Sequence, residues 1–541
     1  MRKIAPLLAL LALAAPAAAQ DAFDDDELRR RFGLEPLPPI PYPQNNLYNP
    51  DRVELGRLLF FDPLLSGEMD TSCGTCHLPD QGMADGRQLA AGTSGKGLGP
   101  DRVLGYSAVT GDTVISEARH TMTIFNTAYN GDESGLPSAE RGFMLWDGKD
   151  RGLEGQALRP IIVRVELRGD AYPREMAVDS VLNRIRANPE YVALFSQAFP
   201  AEADSVARQI PRLDCFWDPT PLQSVVTRSP LSRALSAFER ELVTDDTPYD
   251  RYVDGDDDAL SPSQKRGLEL FHTKAACAAC HSGPFFTDSS FRVQGVEQIG
   301  PGQTFASTQL GTPTPSGKDR GRFVTSGNPN DMFAFRVTTL RQIAETAPYM
   351  HDGALETLED VIEFYDRGGG DEPTVDPEQL DPHLVPLGLS DDEKADLLAF
   401  MHALTDTTIL VEAPQRVPSG LPPVSNEAGR VVFQAPAAPA AEQEAATASA
   451  AALHTFPNPF NAETVVSYSL PRQADVHVAL YDNLGQRVRT LFSGRREAGH
   501  HRLQWDGRND AGQSVGSGTY ILRVRTGDAD AALTRRLTLI R

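Results

Sequence analysis

Cys73-Gly74-Thr75-Cys76-His77 returns further along the chain as Cys277-Ala278-Ala279-Cys280-His281, and the two stretches use four of the five cysteines present. A Cys-x-x-Cys pair followed directly by histidine is the pattern of covalent c-type haem attachment. The two thiols add across the vinyl groups of the porphyrin, and the adjacent histidine lies beneath the iron as its proximal ligand. Paired cysteines also occur in zinc sites and thioredoxin-like redox pairs. A zinc ribbon, however, needs its two halves much closer together, and neither alternative calls for a histidine at the same place in both copies. The cofactors implied are two covalently bound haems.

Working outward, the motifs belong to a weak internal repeat. Leu55-Gly56-Arg57-Leu58-Leu59-Phe60 precedes the first, and Arg266-Gly267-Leu268-Glu269-Leu270-Phe271 precedes the second. Gly and Phe stand four apart in both, with Leu before the Phe. Ser261-Pro262-Ser263-Gln264 reads as a capped helix start. Further helical patterns cover residues 176–195, 230–243, 358–365 and 391–404, separated by Gly- and Pro-rich loops such as 92–100 and 300–317. The expected fold is multidomain: two mainly α-helical cytochrome-c-like haem lobes, residues 20–205 and 206–410, followed by a small all-β immunoglobulin-like sandwich.

Both ends of the chain have their own character. Met1-Arg2-Lys3, an apolar stretch too short to span a bilayer and Ala17-Ala18-Ala19 read as a signal peptide over residues 1–19. That predicts an exported protein: periplasmic, cell-surface or secreted. Residues 411–453, rich in Pro and Ala without apolar periodicity, read as a linker. From 454 to 541, short β-branched and aromatic runs such as Val465-Val466-Ser467-Tyr468 alternate with turn signals. The net charge of −23 argues against nucleic acid and anionic membrane surfaces; it favours a partner with a basic face, and reads at least as well as a solvated acidic surface that aids solubility. Cys215, among bulky neighbours, reads as a buried, inert thiol.

Phe456-Pro457-Asn458-Pro459-Phe460-Asn461, Trp505-Asp506-Gly507 and Ser517-Gly518-Thr519-Tyr520 resemble the flagellar-hook-cap (FlgD-like) immunoglobulin-like repeat and the related type IX sorting modules. That resemblance implies contact with cell-surface or secretion machinery. The haem region resembles the bacterial di-haem cytochrome c peroxidases and the MauG enzymes. The matching residues include Leu55 to Asp62, Trp146-Asp147-Gly148, Gln156, Arg159-Pro160-Ile161, Glu166, Ala237-Phe238-Glu239-Arg240 and Ala347-Pro348-Tyr349-Met350-His351-Asp352-Gly353. By resemblance, the haem on Cys73, Cys76 and His77 is the peroxide site. Gln156 and Glu166 line its distal pocket: splitting peroxide needs a proton moved from one oxygen to the other, which Glu166 can carry, while Gln156 orients the substrate. Trp146 passes electrons between the haems. On its own Glu166 reads better as a surface salt-bridge residue; for Trp146 the alternative is a core side chain.

The haem on Cys277, Cys280 and His281 is then the electron-transfer site. Where family peroxidases carry a methionine ligand, this chain has Tyr365, the MauG pattern; read alone, Tyr365 is a core aromatic on a helix, with Met350 and Met401 as fallback ligands. A phenolate is a hard anion and favours oxidised iron. Two departures stand out. No histidine lies between His77 and His120, Thr93 standing where a blocking histidine is often found, so the first iron is expected to be open at rest. The family's calcium site would use the carbonyls of Thr346 and Pro348, but His120 takes the asparagine position, and imidazole suits a hard cation poorly. The function implied is reduction of hydrogen peroxide with electrons from a small donor protein such as cytochrome c or a cupredoxin. MauG-type oxidation of a protein or organic substrate is one alternative, and plain di-haem electron carriage another.

Overall fold

The computed structural model describes residues 23–114, 116–209, 224–299, 318–370, 372–423, 453–456, 464–470, 473–482, 486–496, 499–526 and 532–539. The helices that organise the haem-motif region are α1 (Asp25–Phe32), α2 (Pro50–Phe60), α3 (Gly152–Gln156), α4 (Ala177–Arg186), α5 (Pro189–Ala198), α6 (Arg228–Arg240), α7 (Pro262–His272), α8 (Leu358–Asp366) and α9 (Asp391–His402).

The internal repeat is a packing unit used twice. A Cβ on Gly56 would stand 1.9 Å from the Ala234 carbonyl oxygen of α6, and one on Gly267 would stand 2.0 Å from the Asp396 carbonyl oxygen of α9. Only glycine allows α2 onto α6, and α7 onto α9, at that separation. Four residues beyond each touched carbonyl stands a phenylalanine that meets the repeat's own. Phe60 and Phe238 have ring centroids 5.2 Å apart, and Phe271 and Phe400 5.3 Å apart. Capping boxes at Ser261/Gln264, Thr357/Asp360 and Ser390/Glu393 start α7, α8 and α9, each satisfying backbone donors that the first turn leaves open.

The contacts divide the chain differently from the boundaries expected at residues 205/206 and 410/411. α6 belongs to the first lobe: besides Gly56, its Arg240 pairs with Glu154 of α3 at 2.8 Å, and Ser232 donates to the Glu154 carbonyl. α1 crosses to the second lobe. Its Asp25 pairs with Lys265 at 2.7 Å and accepts from the Tyr252 hydroxyl, and Arg31 pairs with Glu269 at 2.8 Å. Residues 411–421 are no linker either, but a strap on the first lobe. Val417 is fully buried, Ser419 donates to Asp62 at 2.7 Å, and the Pro418 carbonyl accepts from Asn188 at 2.7 Å. A strap held by a few unevenly spaced apolar residues, Val411 and Val417 among them, and by polar bonds shows no periodicity, which is why composition alone reads it as a linker. The signal peptide, Cys215, residues 300–317 and most of the expected linker lie outside the described residues. No described helix is long and apolar enough to cross a membrane.

The C-terminal unit is all β. Its strands are β1 (Leu453–Phe456), β2 (Thr464–Leu470), β3 (Ala474–Tyr481), β4 (Arg487–Arg496), β5 (Gly499–Trp505), β6 (Gly518–Thr526) and β7 (Ala532–Leu539). They form antiparallel sheets in the orders β7-β6-β3-β4 and β1-β2-β5. Alternate residues, among them Val466 and Tyr468 from one sheet and Val476, Val478 and Leu480 from the other, share a core with Trp505. That is the period-2 burial expected of a sandwich.

Candidate active site

The first motif forms a single helical turn, Cys73–Cys76, that ends on His77. Phe61 lies flat against it: a Cβ on Gly74 would come within 2.5 Å of the Phe61 ring, so the small residue inside the motif answers to the helix before it. The His77 ring nitrogen Nδ1 stands 2.9 Å from the Met83 carbonyl, and His281 Nδ1 stands 3.0 Å from the Phe286 carbonyl. A carbonyl can only accept, so Nδ1 carries the proton in both rings and Nε2 keeps its lone pair for a metal. Burial lowers both imidazoles' proton affinity and keeps them neutral. Burial likewise raises the Cys73, Cys76, Cys277 and Cys280 thiols, Cys277 to about 12, and none of the four forms a disulfide.

A cavity of about 310 Å³ opens beside the first motif, and Cys73, Cys76, His77, Trp146, Gln156 and Glu166 all line it. The sequence places Trp146, Gln156 and Glu166 some 70–90 residues from the motif; the fold brings all six together. α3 presents Gln156 because Glu154, two residues earlier, is held by Arg240. Glu166 sits in a wide turn over Arg164–Arg168 whose carbonyls are clamped: Thr93 N–H donates to the Glu166 carbonyl at 2.8 Å, and Gly67 N–H to that of Leu167 at 2.7 Å. Burial raises the Glu166 carboxyl, against the opposing pull of Lys149 and Arg159. Thr93 itself is buried and donates to Asp70 at 3.1 Å.

Trp146 is anchored from both sides. Its indole N–H donates to the His120 carbonyl at 2.9 Å, and its own carbonyl accepts from Arg336 N–H at 2.8 Å. The neighbouring Asp147 pairs with Arg119 at 3.1 Å, and Arg119 pairs with Asp319 at 2.6 Å. His120 N–H in turn donates to the His351 carbonyl, and the His351 ring stacks on Phe335 at 3.7 Å. The His120 imidazole is buried with Nδ1 2.7 Å from the Arg87 carbonyl, and the Thr346 carbonyl faces the same ring. Thr346 and His120 are therefore together, with a ring rather than a side-chain oxygen between the carbonyls. Among the described residues no group of three or more His, Cys, Asp and Glu side chains is arranged to hold a metal ion.

In the second lobe, Tyr365 of α8 lies near Cys277 and Cys280, and its hydroxyl oxygen accepts from Gln294 Nε2 at 2.5 Å. Burial is the largest influence on that hydroxyl and raises it. Met401 is committed to the hydrophobic core with Phe271 and Phe400, and Met350 occupies a left-handed turn position with φ 73°.

Sequence reasoning did not single out Arg336, Glu117 or Gln294. Arg336 is buried, lines the first cavity, and bonds to the Leu145 carbonyl and Asn130 amide oxygen, with no carboxylate paired to it among the described residues. Burial lowers it to about 10. A buried guanidinium facing a cavity suits the carboxylate of a porphyrin side chain, and two thiols with a neutral imidazole suit its vinyl groups and iron. The donor set fits haem. Glu117 has no motif around it, and Gln294 no periodic context; only the folded arrangement exposes them.

Residues 50–258 match the family described as di-haem cytochrome c peroxidase, and residues 458–530 match the FlgD Ig-like domain. The cytochrome-c peroxidase IdrP1 of Denitromonas iodatirespirans is 32% identical over 442 residues, which cover 79% of this chain and 98% of that protein. The methylamine utilization protein MauG of Methylorubrum extorquens is 31% identical over 74% of this chain and 91% of its own length. Cytochrome c551 peroxidase of Pseudomonas aeruginosa is 30% identical over 75% of this chain and 92% of its own. Among solved structures, a MauG-like protein associated with microbial copper homeostasis aligns with a TM-score of 0.51 at 28% identity, covering 68% of this chain and 93% of that one.

Proposed function

The chain belongs to the di-haem cytochrome c peroxidase and MauG family of oxidoreductases, carrying a FlgD-type Ig-like domain at its C-terminal end, and from that premise we propose that it reduces hydrogen peroxide in the cavity beside His77. The observation that carries this reading is the convergence of Glu166 and Gln156 on the cavity that Cys73, Cys76 and His77 line. Haem, when bound there, supplies the iron that takes up peroxide and the electrons that reduce it. Cys73 and Cys76 hold it covalently, and His77 presents Nε2. Gln156 orients peroxide through its amide. The Glu166 carboxylate accepts a proton from the nearer peroxide oxygen and returns it to the farther one, so that the second oxygen leaves as water. Burial favours the first of these steps, because a carboxylate whose proton affinity is raised by desolvation is a better base toward peroxide.

Electrons come from a small donor such as cytochrome c, whose basic face suits a chain of net charge −23. Cys277, Cys280 and His281 would hold the second haem, which would supply the relay for these electrons, and Trp146, lining the first cavity, would carry them onward. The C-terminal sandwich retains the exported protein at the cell surface. A second reading, oxidation of a protein or organic substrate in the manner of MauG, is favoured by Tyr365, whose phenolate would stabilise oxidised iron in the second lobe. The experiment on Glu166→Gln tests the first reading. Peroxide cleavage, followed by stopped-flow absorbance, should slow by roughly 10²–10⁴-fold. A rate within twofold of the parent would return Glu166 to a structural charge.

A further inference from the structure

Residues 90–93 form a short segment to which two acidic residues are tied. Glu117 N–H donates to the Ala90 carbonyl at 2.9 Å, and Thr93 N–H donates to the Glu166 carbonyl at 2.8 Å. Arg102 locks the middle, its guanidinium donating to the carbonyls of Ala91 at 2.6 Å and Gly92 at 2.7 Å. The contact is tight: a Cβ on Gly92 would lie 2.1 Å from the Val165 oxygen and 2.5 Å from that of Glu166. Both carboxyl side chains line the same cavity as the first haem motif. Glu117 Oε1 is buried there with no hydrogen-bond partner, and a buried polar atom left unpaired in a native fold calls for an explanation.

The charges around the two groups are few. Glu117 faces Glu166, Lys149 and Arg119; Glu166 faces Lys149, Arg159 and Asp150. Burial, and after it the Glu166 charge, pushes Glu117 up to about 8. Two carboxyls in one desolvated space resist losing both protons, so the pair titrates as a unit and keeps one proton across neutral pH. Lys149, on the wall of the same cavity, is exposed.

We propose that Glu117 is a proton reserve for the peroxide site: it shares one proton with Glu166 and restores to Glu166 the protons that each turnover draws from solvent. The balance requires such a supply. Hydrogen peroxide, two electrons and two protons give two molecules of water; the O–O bond breaks, two O–H bonds form, and the electrons arrive from the donor protein. Glu117 acts through Glu166 and is a positioning residue in this sense, so the inference rests on the reading of Glu166 as the base at the site.

The test uses the haem-loaded full chain with ¹³C-labelled glutamate, and two readouts: the infrared band of a protonated carboxyl between pH 6 and pH 9, and the pH profile of peroxide turnover. In the parent the band should fade as the pH rises through about 8. Glu117→Gln should remove it and take the step near pH 8 out of the turnover profile, because the group that gives up its proton there is gone. Turnover at pH 8 should fall at least about tenfold, and Glu117→Asp should restore the band. A band and a pH limb unchanged in Glu117→Gln would overturn the reserve while leaving Glu166 as base. Loss of both in Glu117→Gln, with Glu166→Gln retaining both, would overturn the relay by showing that Glu166 is not the base.

Discussion

Replacing Gln294 with leucine probes the second haem through one hydrogen bond. Gln294 Nε2 donates to the Tyr365 oxygen at 2.5 Å, beside Cys277 and Cys280. A hydrogen bond to an anionic acceptor is worth about 1.5–3 kcal/mol. A phenolate on reduced iron keeps more of its negative charge than one on oxidised iron, so the bond is stronger in the reduced state and raises the potential. If the whole bond existed only in the reduced state, its loss would lower the potential by about 65–130 mV, at about 59 mV per tenfold change for one electron. The oxidised state retains part of it, so the expected fall is roughly 30–80 mV. Spectroelectrochemical titration of the purified di-haem protein measures this directly, with Tyr365→Phe as the companion that removes the proposed ligand. An unchanged or raised second potential in Gln294→Leu, or an oxidised Tyr365→Phe spectrum identical to the parent's, would refute the reasoning.

Two stability experiments bear on the architecture. Gly56→Ala and Gly267→Ala each drive a methyl group into a carbonyl oxygen at 1.9–2.0 Å, so each should lower the unfolding midpoint of the haem-loaded protein, at a cost of about 1–3 kcal/mol or more; midpoints equal to the parent's would mean that the helices part without strain. A chain ending at residue 423 should keep both haem spectra and peroxide turnover, whereas one ending at 410 loses the buried Val417 and the Ser419–Asp62 bond. That loss is worth about 1.5–3 kcal/mol for the valine alone, and identical melting of the two truncated proteins would show that the strap contributes nothing.

What the sequence could disclose follows from how local each signal is. The haem motifs are contiguous, and the repeated Gly and Phe lie on single helices, so spacing alone displayed them. Gln156, Glu166 and Tyr365 emerged because a family resemblance supplied the partners that spacing does not. Glu117 stayed hidden, since its role depends on residues 90–93 meeting two distant loops. The boundaries misled for a related reason. α6 lies between the haem motifs in sequence but packs on Gly56, and no periodicity records which of two similar lobes a helix will join.

The crossing of α1 onto the second lobe, and of the 411–421 strap onto the first, sets an order of events for a chain made from its N-terminus. The first lobe contains the earlier haem motif, yet its last piece is the strap at 411–421. The second lobe waits for its own motif while α1, among the first residues made, has no surface to rest on until α7 exists. Each half is thus completed by contacts of long sequence separation, which are the slow ones to form. The surroundings of Cys73, Cys76 and His77 therefore gain their last contacts from residues that leave the ribosome more than 300 positions after the motif itself.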